Sequence, residues 1–453
     1  PDRYKEGYGI SKQSIDYASK AGIKLIIALD CGIKSVDLIH YAKSLGIDFI
    51  ICDHHRPGEV LPAAIAVLDP KRPDCEYPFK ELSGCGIGYK LLQALADQLD
   101  HSAPSPVNYL DLVAVSIASD IVPIIGENRV LAHFGIKRLS EKPSPGLQAL
   151  INLAGIKNRM SITGIVFGLA PRINAAGRIG HAKAAVDLLL AESEDEAYHF
   201  ADKLNIKNNK RRDVDAAITD EALEMIENSG RGRISKSTVL FKSSCHKGVI
   251  GIVASRCIEK YYKPTIILTE SDNKATGSAR SVHGFDIYNA IEACSDLLDH
   301  FGGHMYAAGL TLPIENIEAF QSRFEEVVTQ KITDAQLVPR VEIDTLLDFD
   351  EITPKFFHVL RQMEPFGPEN LSPVFCSQKV KLAGSLTVLK SKHLKGSLQQ
   401  ASGKKFEFIG FGLADLKDDI RQRESFNIAY SIEENEFRGV KTLQLNVKDI
   451  QFD

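Results

Sequence analysis

The sequence lacks three features that would place it in a special class of proteins. It has no run of about 18 apolar residues, the length that a membrane-spanning helix requires, so we expect no transmembrane segment. None of its eight cysteines forms a CxxC pair, and most lie in apolar segments, which argues against a zinc site or a disulfide framework. The net charge of −5 gives no general basic field, so any nucleic-acid binding must come from local patches. Reduced thiols and the lack of an opening signal peptide predict a cytoplasmic protein.

The first half of the chain alternates between apolar strands and helical stretches. We predict helices over 11–21, 35–45 and about 86–99, and strands over 24–29, 47–52 and 64–68. Strands separated by helices of about ten residues are typical of a parallel α/β sheet. Ligands of such sheets bind at the carboxyl ends of the strands.

The rest of the chain predicts three further domains. A charged segment with an acidic start, 193–228, predicts a long connecting helix. Strands at 238–241 and 265–269 predict a second α/β unit, and short alternating strands at 379–382, 406–411, 425–432 and 442–447 predict a small β-barrel. The predicted domains are therefore 1–191, 192–230, 231–332 and 333–453.

Three apolar segments end in an acidic residue. Asp53-His54-His55 follows strand 47–52, Asp30 follows strand 24–29, and Asp120 follows the apolar segment 113–119. A single acid at a strand end often caps the next helix, and an isolated Asp-His-His can be a polar turn. Carboxylates that converge on one sheet edge, however, repel one another unless a cation lies between them. Mixed Asp and His ligands favour an ion such as Mn²⁺ over Ca²⁺, so the pattern predicts a divalent metal site.

These motifs are accompanied by long stretches that resemble the DHH phosphoesterase superfamily and, within it, the bacterial RecJ-type single-strand exonucleases. Asp30-Cys-Gly, Asp53-His54-His55 and Ser119-Asp120 have the order and approximate spacing of the later motifs of the superfamily. The matching stretches are PDRYKEGYGIS at 1–11, LSGCGIGYKLLQAL at 82–95, GLAPRINAAGRIGHA at 168–182, HKGVIGIVASR at 246–256, GSARSVHGFD at 277–286, FGGHMYAAG at 301–309 and MEPFGPEN at 363–370.

The resemblance implies a fold and a metal centre. The four domains would be a parallel-sheet DHH domain, a connecting helix, a DHH-associated α/β domain and an OB-like barrel. Two Mn²⁺ (or Mg²⁺) ions would be held by Asp30 as the bridging ligand, His54 and Asp120. Asp53 would be a ligand or the partner that orients His54, and His55 would face the scissile phosphate.

The first motif of the family, an Asp-x-Asp-Gly, is not in the sequence, which begins at Pro1. We expect it on a strand within about 40 residues upstream, a spacing set by one βα unit. Because those two aspartates supply further ligands in the family, we expect the 453 residues alone to bind metal poorly and to have little activity.

The resemblance also implies a path for the nucleic acid. Arg3 and Tyr8 would lie near the entry of the strand, although a plain surface loop would explain them too, and Arg178 would face a phosphate. In the DHH-associated domain the nucleotides would be held by Ser278, Arg280, Gly302, Gly303 and His304. Adjacent glycines let a backbone approach a phosphate closely, although a tight turn would also explain them. Family members usually carry Trp before His246, where this chain has Cys245 and no tryptophan at all.

A lysine-rich stretch of the predicted barrel is a second candidate for strand binding. Residues 371–406 contain seven lysines and no acidic residue, and Lys390, Lys392 and Lys395 lie close together. Such lysines can form an electrostatic groove for single strands.

The predicted function is therefore that of a metal-dependent 5′→3′ single-stranded DNA exonuclease in repair and recombination. The resemblance implies a cytoplasmic monomer that works with single-strand-binding protein and a helicase. Alternatives are an oligonucleotide or cyclic-dinucleotide phosphodiesterase, whose chains lack a barrel, and a non-catalytic replisome scaffold. A dinucleotide site at Gly84-Cys-Gly-Ile-Gly88 and a serine hydrolase based on Ser116 or Ser119 lack the required patterns.

Overall fold

The structure is a computed structural model that describes residues 9–99, 104–156, 159–178, 182–230, 234–437 and 439–452. Among these residues, no helix combines the length and the hydrophobicity needed to cross a bilayer. The described chain forms two compact units. The first contains the residues up to Glu76, Ile87–Ser105 and Lys137–Pro339, and the second contains Tyr77–Gly86, Pro106–Ile136 and the residues from Arg340 onward.

The N-terminal sheet has three parallel strands in the order β1-β2-β3. Its elements are α1 (Lys12–Lys20), β1 (Leu25–Leu29), α2 (Val36–Ser44), β2 (Asp48–Cys52) and β3 (Ala66–Leu68). Ser11 caps α1 by accepting a hydrogen bond from the Ser14 amide. Ile15, Ile39 and Ile51 are buried in the core between helices and sheet. The predicted parallel α/β arrangement is confirmed.

A set of helices follows this sheet. They are α3 (Gly84–Gln98), α4 (Leu110–Ser119), α5 (Gly126–Glu141), α6 (Pro145–Ala154), α7 (Ile162–Gly164), α8 (Ala170–Arg178) and α9 (Lys183–Leu190), with a π-helical stretch at Ile165–Leu169 between α7 and α8. The interpretation of 113–119 as a strand that ends at Asp120 is wrong, because this segment is part of α4. Most of α4 is buried, so the segment is apolar all round, and such a run has no periodicity that separates a helix from a strand.

The predicted connecting helix is confirmed as α10 (Glu194–Asn228), a single helix of 35 residues. Ser193 caps it by accepting a hydrogen bond from the Glu196 amide at 3.3 Å. The acidic side chains of its first turn stabilise the positive end of the helix dipole.

The next domain is a five-stranded sheet in the order β4-β5-β6-β8-β7. Its elements are β4 (Thr238–Phe241), α11 (Ile250–Tyr261), β5 (Thr265–Ser271), β6 (Lys274–Arg280), α12 (Ile287–Glu292), β7 (His300–His304), β8 (Ala307–Pro313) and α13 (Ile317–Lys331). Only β4 and β5 are parallel, and the other neighbours are antiparallel. Phe320 and Phe324 of α13 are fully buried against this sheet.

The C-terminal domain is a seven-stranded sheet in the order β11-β12-β13-β15-β14-β10-β9. Its elements are β9 (Thr345–Leu346), α14 (Pro354–Arg361), β10 (Phe375–Leu382), β11 (Thr387–Leu389), β12 (His393–Gln399), β13 (Lys405–Gly410), α15 (Lys417–Gln422), β14 (Phe426–Phe437) and β15 (Val440–Gln451). A further pairing of only two residue pairs joins β10 to β12. This pairing joins the two strands that lie next to the edge strands β9 and β11, so the predicted barrel is a curved sheet that is not clearly closed.

The MEPFGPEN motif has a structural role in the second unit. Asn370 donates hydrogen bonds to the carbonyl oxygens of Met363 and Pro365, which fixes the loop. A Cβ on Gly367 would lie 2.5 Å from Ile124 Cγ1, so only glycine allows this approach. The motif therefore joins the segment before α5 to the C-terminal domain.

Candidate functional site

Three aspartates lie side by side at the carboxyl edge of the N-terminal sheet. The register pairs Leu29 with Cys52 and Cys52 with Leu68. The next residue of each strand is an aspartate, namely Asp30, Asp53 and Asp69. The prediction that strand-end acids converge on one sheet edge is therefore correct, but the third acid is Asp69 and not Asp120.

Asp30 and His54 form the closest pair of this edge. The Asp30 backbone is left-handed (φ 65°), a conformation that Asp adopts more readily than most residues, and its amide donates to the Cys52 carbonyl at 2.8 Å. Asp30 Oδ1 lies 3.0 Å from His54 Nε2. The His54 side chain is 8% exposed and that of Asp30 is 59% exposed, so the pair opens to solvent on the aspartate side.

Asp30, His54 and His55 are a group that can hold a metal ion. Each offers one ligand atom, and these atoms all lie within 4.8 Å of one another. A carboxylate oxygen and imidazole nitrogens are donors that suit Mn²⁺, so the donor set fits the divalent ion that the sequence predicts. The side chains follow the ends of two adjacent strands, and the pairing of these strands brings them together.

Asp53 holds His55 in place and is not a member of this group. Its Oδ1 accepts hydrogen bonds from the His55 ring at 2.7 Å and from the His54 amide at 2.8 Å, and its Oδ2 accepts from the Ile33 amide at 2.9 Å. Both carboxylate oxygens thus accept hydrogen bonds from neighbouring groups. Asp53 was predicted to be either a metal ligand or the partner that orients the His54 ring, and the structure shows neither role. The ring that Asp53 contacts is that of His55.

The charge of Asp53 is stabilised despite its burial. Burial disfavours the ionised form, but the hydrogen bonds from the His55 ring and from the amides of Ile33 and His55 lower the pKa of Asp53 to about 2. The ionised carboxylate therefore accepts the Nδ1 proton of His55, which fixes Nδ1 as a donor. The His55 side chain is 53% exposed, so the ring lies at the surface of the site.

Asp53→Asn in the metal-free chain is expected to reduce the free energy of unfolding by about 2 kcal/mol at pH 7. The folded pKa of about 2 lies below the unfolded value, so the stabilisation is complete above about pH 4 and is lost as the pH falls toward 2. Urea unfolding at pH 7, 5 and 3 measures this effect. Asp48→Asn, at the exposed opposite end of β2, is the control. A difference between wild type and Asp53→Asn that does not shrink at pH 3 would contradict it.

Asp69 is a buried acid that the sequence interpretation missed. It is 2% exposed, its Oδ1 accepts a hydrogen bond from the Lys71 amide at 2.8 Å, and its Oδ2 has no hydrogen-bond partner among the described residues. Burial raises the pKa of Asp69, the charge of Asp53 raises it further, and His54 lowers it. The signal was in the sequence, since Asp69 follows the predicted strand 64–68.

Asp69→Asn is expected to weaken Mn²⁺ binding by about tenfold, because it removes a buried negative charge next to His54. Isothermal titration of the full-length protein with MnCl₂ measures the affinity. Asp48→Asn serves again as the control, since it removes the same charge from the far end of the sheet. Equal affinities of Asp69→Asn and the control would show that Asp69 does not support the site.

Asp120 ends helix α4 and belongs to the second compact unit. It is exposed at the helix end, and it is not part of the group of Asp30, His54 and His55. Its role as a metal ligand stays a prediction. Arg3 and Tyr8 lie outside the described residues, so their predicted contacts with the strand stay predictions as well.

Four of the five predicted nucleotide-binding residues of the five-stranded sheet share one face, whereas Gly303 is aligned with Ala308 and Ala279 on the other face. Across β8, Ser278 is aligned with Gly309 and Gly302, and Arg280 is aligned with Ala307 and His304. Residues two apart on a strand point to the same side, so the two rows form one surface. Its middle has only Gly and Ala, and its edges have a hydroxyl, a guanidinium and an imidazole.

Arg280 is held firmly at this surface. Its Nη1 donates to Ser278 Oγ at 3.1 Å and to the Ala279 carbonyl at 2.8 Å. A Cβ on Gly251 of α11 would lie 2.9 Å from Arg280 Nη2, so glycine there makes room for the guanidinium. Burial lowers the pKa of Arg280, and the nearby charge of Arg178 lowers it further. Two neighbouring guanidinium groups favour an anion between them.

Arg178 is oriented by the same domain, since its Nη1 donates to the Gly248 carbonyl at 2.7 Å.

The two glycines predicted to approach phosphate, Gly302 and Gly303, differ in whether packing requires a glycine at the position. Gly303 (φ 151°) is required by packing, because a Cβ there would lie 2.4 Å from the Ala307 carbonyl oxygen. A Cβ on Gly302 would meet no described atom within 4 Å, so packing does not require glycine at this position. Both lie in β7, and the alternative of a helix-to-strand turn is wrong.

The three predicted lysines of the C-terminal domain lie together. Lys390 and Lys392 are in the turn between β11 and β12, and Lys395 is on β12. All three are exposed. Their contact with a strand stays a prediction.

Three family models match consecutive parts of the chain. Residues 2–117 match the N-terminal domain of the DHH family, residues 235–330 match the DHHA1 domain, and residues 343–449 match the RecJ OB domain. The single-stranded-DNA-specific exonuclease RecJ of Escherichia coli (strain K12) is 34% identical over 470 residues, which cover 99% of this chain and 81% of that protein. The chain belongs to the RecJ family.

Other RecJ proteins agree with this assignment. RecJ of Bacillus subtilis (strain 168) is 37% identical over 454 residues, and the chain spans 56% of its length. The crystal structure of RecJ in complex with Mn²⁺ from Thermus thermophilus has a TM-score of 0.83 at 27% identity, covering 97% of this chain and 63% of that one. A structure of exonuclease RecJ bound to manganese has a TM-score of 0.60 at 31% identity, covering 74% of this chain and 82% of that one. The predicted RecJ-type family and fold are confirmed.

Proposed function

We propose that the protein is a metal-dependent exonuclease that degrades single-stranded DNA in the 5′→3′ direction, in DNA repair and recombination. The observation that carries the proposal is the group of Asp30, His54 and His55 at the carboxyl edge of a parallel sheet. RecJ relatives named as single-stranded-DNA-specific exonucleases, and a RecJ structure containing Mn²⁺, support it.

In this proposal Asp30 and His54 hold a divalent ion, together with Asp120. Such an ion, when bound, activates water and stabilises charge on phosphate oxygens. His55 contacts the scissile phosphate through Nε2, because Asp53 fixes its other nitrogen as a donor. Asp53 therefore acts as a positioning residue, and the hydrogen bonds that it accepts from the amides of Ile33, His54 and His55 hold the turn on which both histidines lie.

The nucleotides beside the metal centre lie, in this proposal, on the face of β6, β8 and β7. Ser278, Arg280 and His304 contact phosphates at its edges, and the bare strip of glycine and alanine lets the strand backbone approach. These contacts do not depend on base identity, which suits a degradative enzyme. Arg178 adds a second guanidinium, and Arg3 and Tyr8 contact the incoming strand.

The same proposal makes the protein a cytoplasmic monomer that works with single-strand-binding protein and a helicase. None of the eight cysteines, all of which lie in the described part of the chain, forms a disulfide bond, which fits a reducing compartment. The match of residues 343–449 to the RecJ OB domain opposes a short oligonucleotide or cyclic-dinucleotide phosphodiesterase, whose chains lack such a domain.

Full-length protein with Mn²⁺ is incubated with single strands labelled at either end. We expect mononucleotides from the 5′ end, no activity on duplex, and complete loss of activity with EDTA that added Mn²⁺ restores. Release that begins at the 3′ label would contradict the polarity. Hydrolysis of dinucleotides alone would favour the oligonucleotide or cyclic-dinucleotide phosphodiesterase. No hydrolysis from either end would favour the non-catalytic replisome scaffold.

A further inference from the structure

Acidic side chains along the second half of α10 pair with cations of the five-stranded domain. The pairs are Asp215 with Arg256, Glu221 with Lys242, and Glu227 with Lys260. The Glu221 and Glu227 side chains are 48% and 57% exposed, so water screens their pairs and these contribute little. The Asp215 side chain is fully buried, so the loss of its partner or of its charge has a larger effect.

Asp215 interacts with groups on two helices. Its Oδ2 accepts hydrogen bonds from Arg256 Nε at 3.2 Å and Nη2 at 3.1 Å, and its Oδ1 accepts one from the Thr219 hydroxyl at 3.5 Å. Arg211 lies one turn earlier on α10 and donates to the Asn208 side chain at 2.9 Å. Burial lowers the pKa of Arg211, and the nearby charge of Asp215 raises it. The carboxylate therefore interacts with a guanidinium of its own helix and with one of α11.

Helix α11 carries this ion pair in its middle and contacts both predicted phosphate-binding arginines at its amino end. The Gly248 carbonyl, just before the helix, accepts a hydrogen bond from Arg178 Nη1 at 2.7 Å. Gly251, in the first turn, leaves space for Arg280, since a Cβ there would lie 2.9 Å from Arg280 Nη2. Arg256 follows Gly251 by one and a half turns, about 7.5 Å along the helix. A shift of α11 at the ion pair is therefore passed on to both arginines.

The two arginines come from different elements, which α10 connects. Arg178 is the last residue of α8 and Arg280 is the last residue of β6. Both α8 and α11 pack against α10. Burial lowers the pKa values of Arg211 and Arg280, and the nearby charge of Arg178 lowers both further. Guanidinium groups that repel one another in this way need a fixed support, and a buried carboxylate on the shared helix supplies one.

We propose that Asp215 is a positioning residue for phosphate binding. Its ion pair with Arg256 fixes α11 against α10, and α11 in turn sets the spacing of Arg178 and Arg280. The inference rests on the proposed function and deepens it, because it gives the connecting helix a part in binding the substrate. Asp215 itself acts only through α11.

Asp215→Asn in the full-length protein is expected to raise KM for single-stranded DNA by about tenfold and to leave kcat within about twofold, because misplaced phosphate contacts weaken binding without touching the chemistry. The direction of the change separates positioning from electrostatics. The substitution removes a negative charge near the phosphate-binding arginines, so a purely electrostatic effect would lower KM for an anionic substrate. Steady-state kinetics on an oligonucleotide with Mn²⁺ measures both parameters. A KM equal to or below that of wild type overturns the proposal, whatever the thermal unfolding midpoint.

The matched control is Glu227→Gln, which removes an exposed carboxylate of the same helix that also pairs with α11. Its KM is expected to stay within about twofold of wild type. An equal rise of KM in Glu227→Gln and Asp215→Asn overturns the special role of the buried pair.

A double variant tests the ion pair itself. Asp215→Asn with Arg256→Gln replaces the ion pair by two amides that can still share a hydrogen bond, so KM is expected to return to within about threefold of wild type. Arg256→Gln alone is expected to raise KM by about tenfold, which keeps the test usable if Asp215→Asn does not fold. The role of the pair is overturned if the double variant is no better than either single variant, or if Arg256→Gln has the KM of wild type.

The two proposals fail in different ways. If metal-dependent hydrolysis proceeds with an unchanged KM in Asp215→Asn, the positioning role is wrong and the proposed function stands. If wild type binds single strands without hydrolysing them, the enzyme is wrong, and dissociation constants for oligothymidylate take the place of KM. A dissociation constant about tenfold higher in Asp215→Asn then supports the positioning role, and an unchanged one overturns it. If wild type neither binds nor hydrolyses single strands, both proposals are wrong.

Discussion

Asp30→Asn in the full-length protein is expected to reduce the rate of single-strand hydrolysis by about a thousandfold, since a neutral amide is a poor metal ligand and a bound ion contributes several kcal/mol to the barrier. The fold is expected to survive, because asparagine also adopts the left-handed backbone that Asp30 requires (φ 65°). The rate at saturating substrate and Mn²⁺, together with the thermal unfolding midpoint, measures both effects.

The control for this variant is Asp48→Asn, which removes a carboxylate from the exposed amino end of β2 and is expected to keep the full rate. A rate of Asp30→Asn above one tenth of wild type would show that Asp30 does not bind the metal. Loss of the cooperative unfolding transition would instead show that the substitution acts through the fold.

Arg280→Gln is expected to raise KM for single-stranded DNA by about a hundredfold and to change kcat little, because a half-buried guanidinium that contacts phosphate positions the strand without taking part in the chemistry. Steady-state kinetics on an oligonucleotide separates the two parameters. Arg323→Gln removes an exposed arginine of the same domain and is the control. A fall in kcat with unchanged KM would contradict the positioning role.

A second variant tests the same guanidinium without removing its charge. A Cβ on Gly251 would lie 2.8 Å from Ser278 Oγ and 2.9 Å from Arg280 Nη2. Gly251→Ala is therefore expected to displace Arg280 and to raise KM by about tenfold, less than the loss of the charge itself. If Gly251→Ala has no effect while Arg280→Gln does, the guanidinium can bind phosphate from more than one position.

Much of the metal centre could be predicted from the sequence because strand ends are easy to locate. The apolar runs before Asp30 and Asp53 are short, alternate with helices and end abruptly, so a parallel sheet with acids at one edge follows directly. The apolar run before Asp120 has the same composition, but it belongs to a buried helix. Composition alone does not distinguish the two. Asp69 follows the predicted strand 64–68 directly, so the pattern of an acid after a strand was present there as well.

The nucleotide-binding face could not be derived in the same way. Ser278 and Arg280 are separated from Gly302 and His304 by more than twenty residues, and their alignment depends on β8 lying between β6 and β7. Strand order is not encoded in local periodicity, so only the resemblance to RecJ suggested that these residues act together.

The left-handed backbone at Asp30 also bears on how the family can evolve. Few residues other than glycine, asparagine and aspartate tolerate that conformation, and an aspartate codon becomes an asparagine codon by a change of one base. The single substitution Asp30→Asn can therefore end catalysis and leave a folded protein that still binds DNA. A related protein could in this way lose hydrolysis of single strands and keep binding to them, because the single substitution leaves the protein folded.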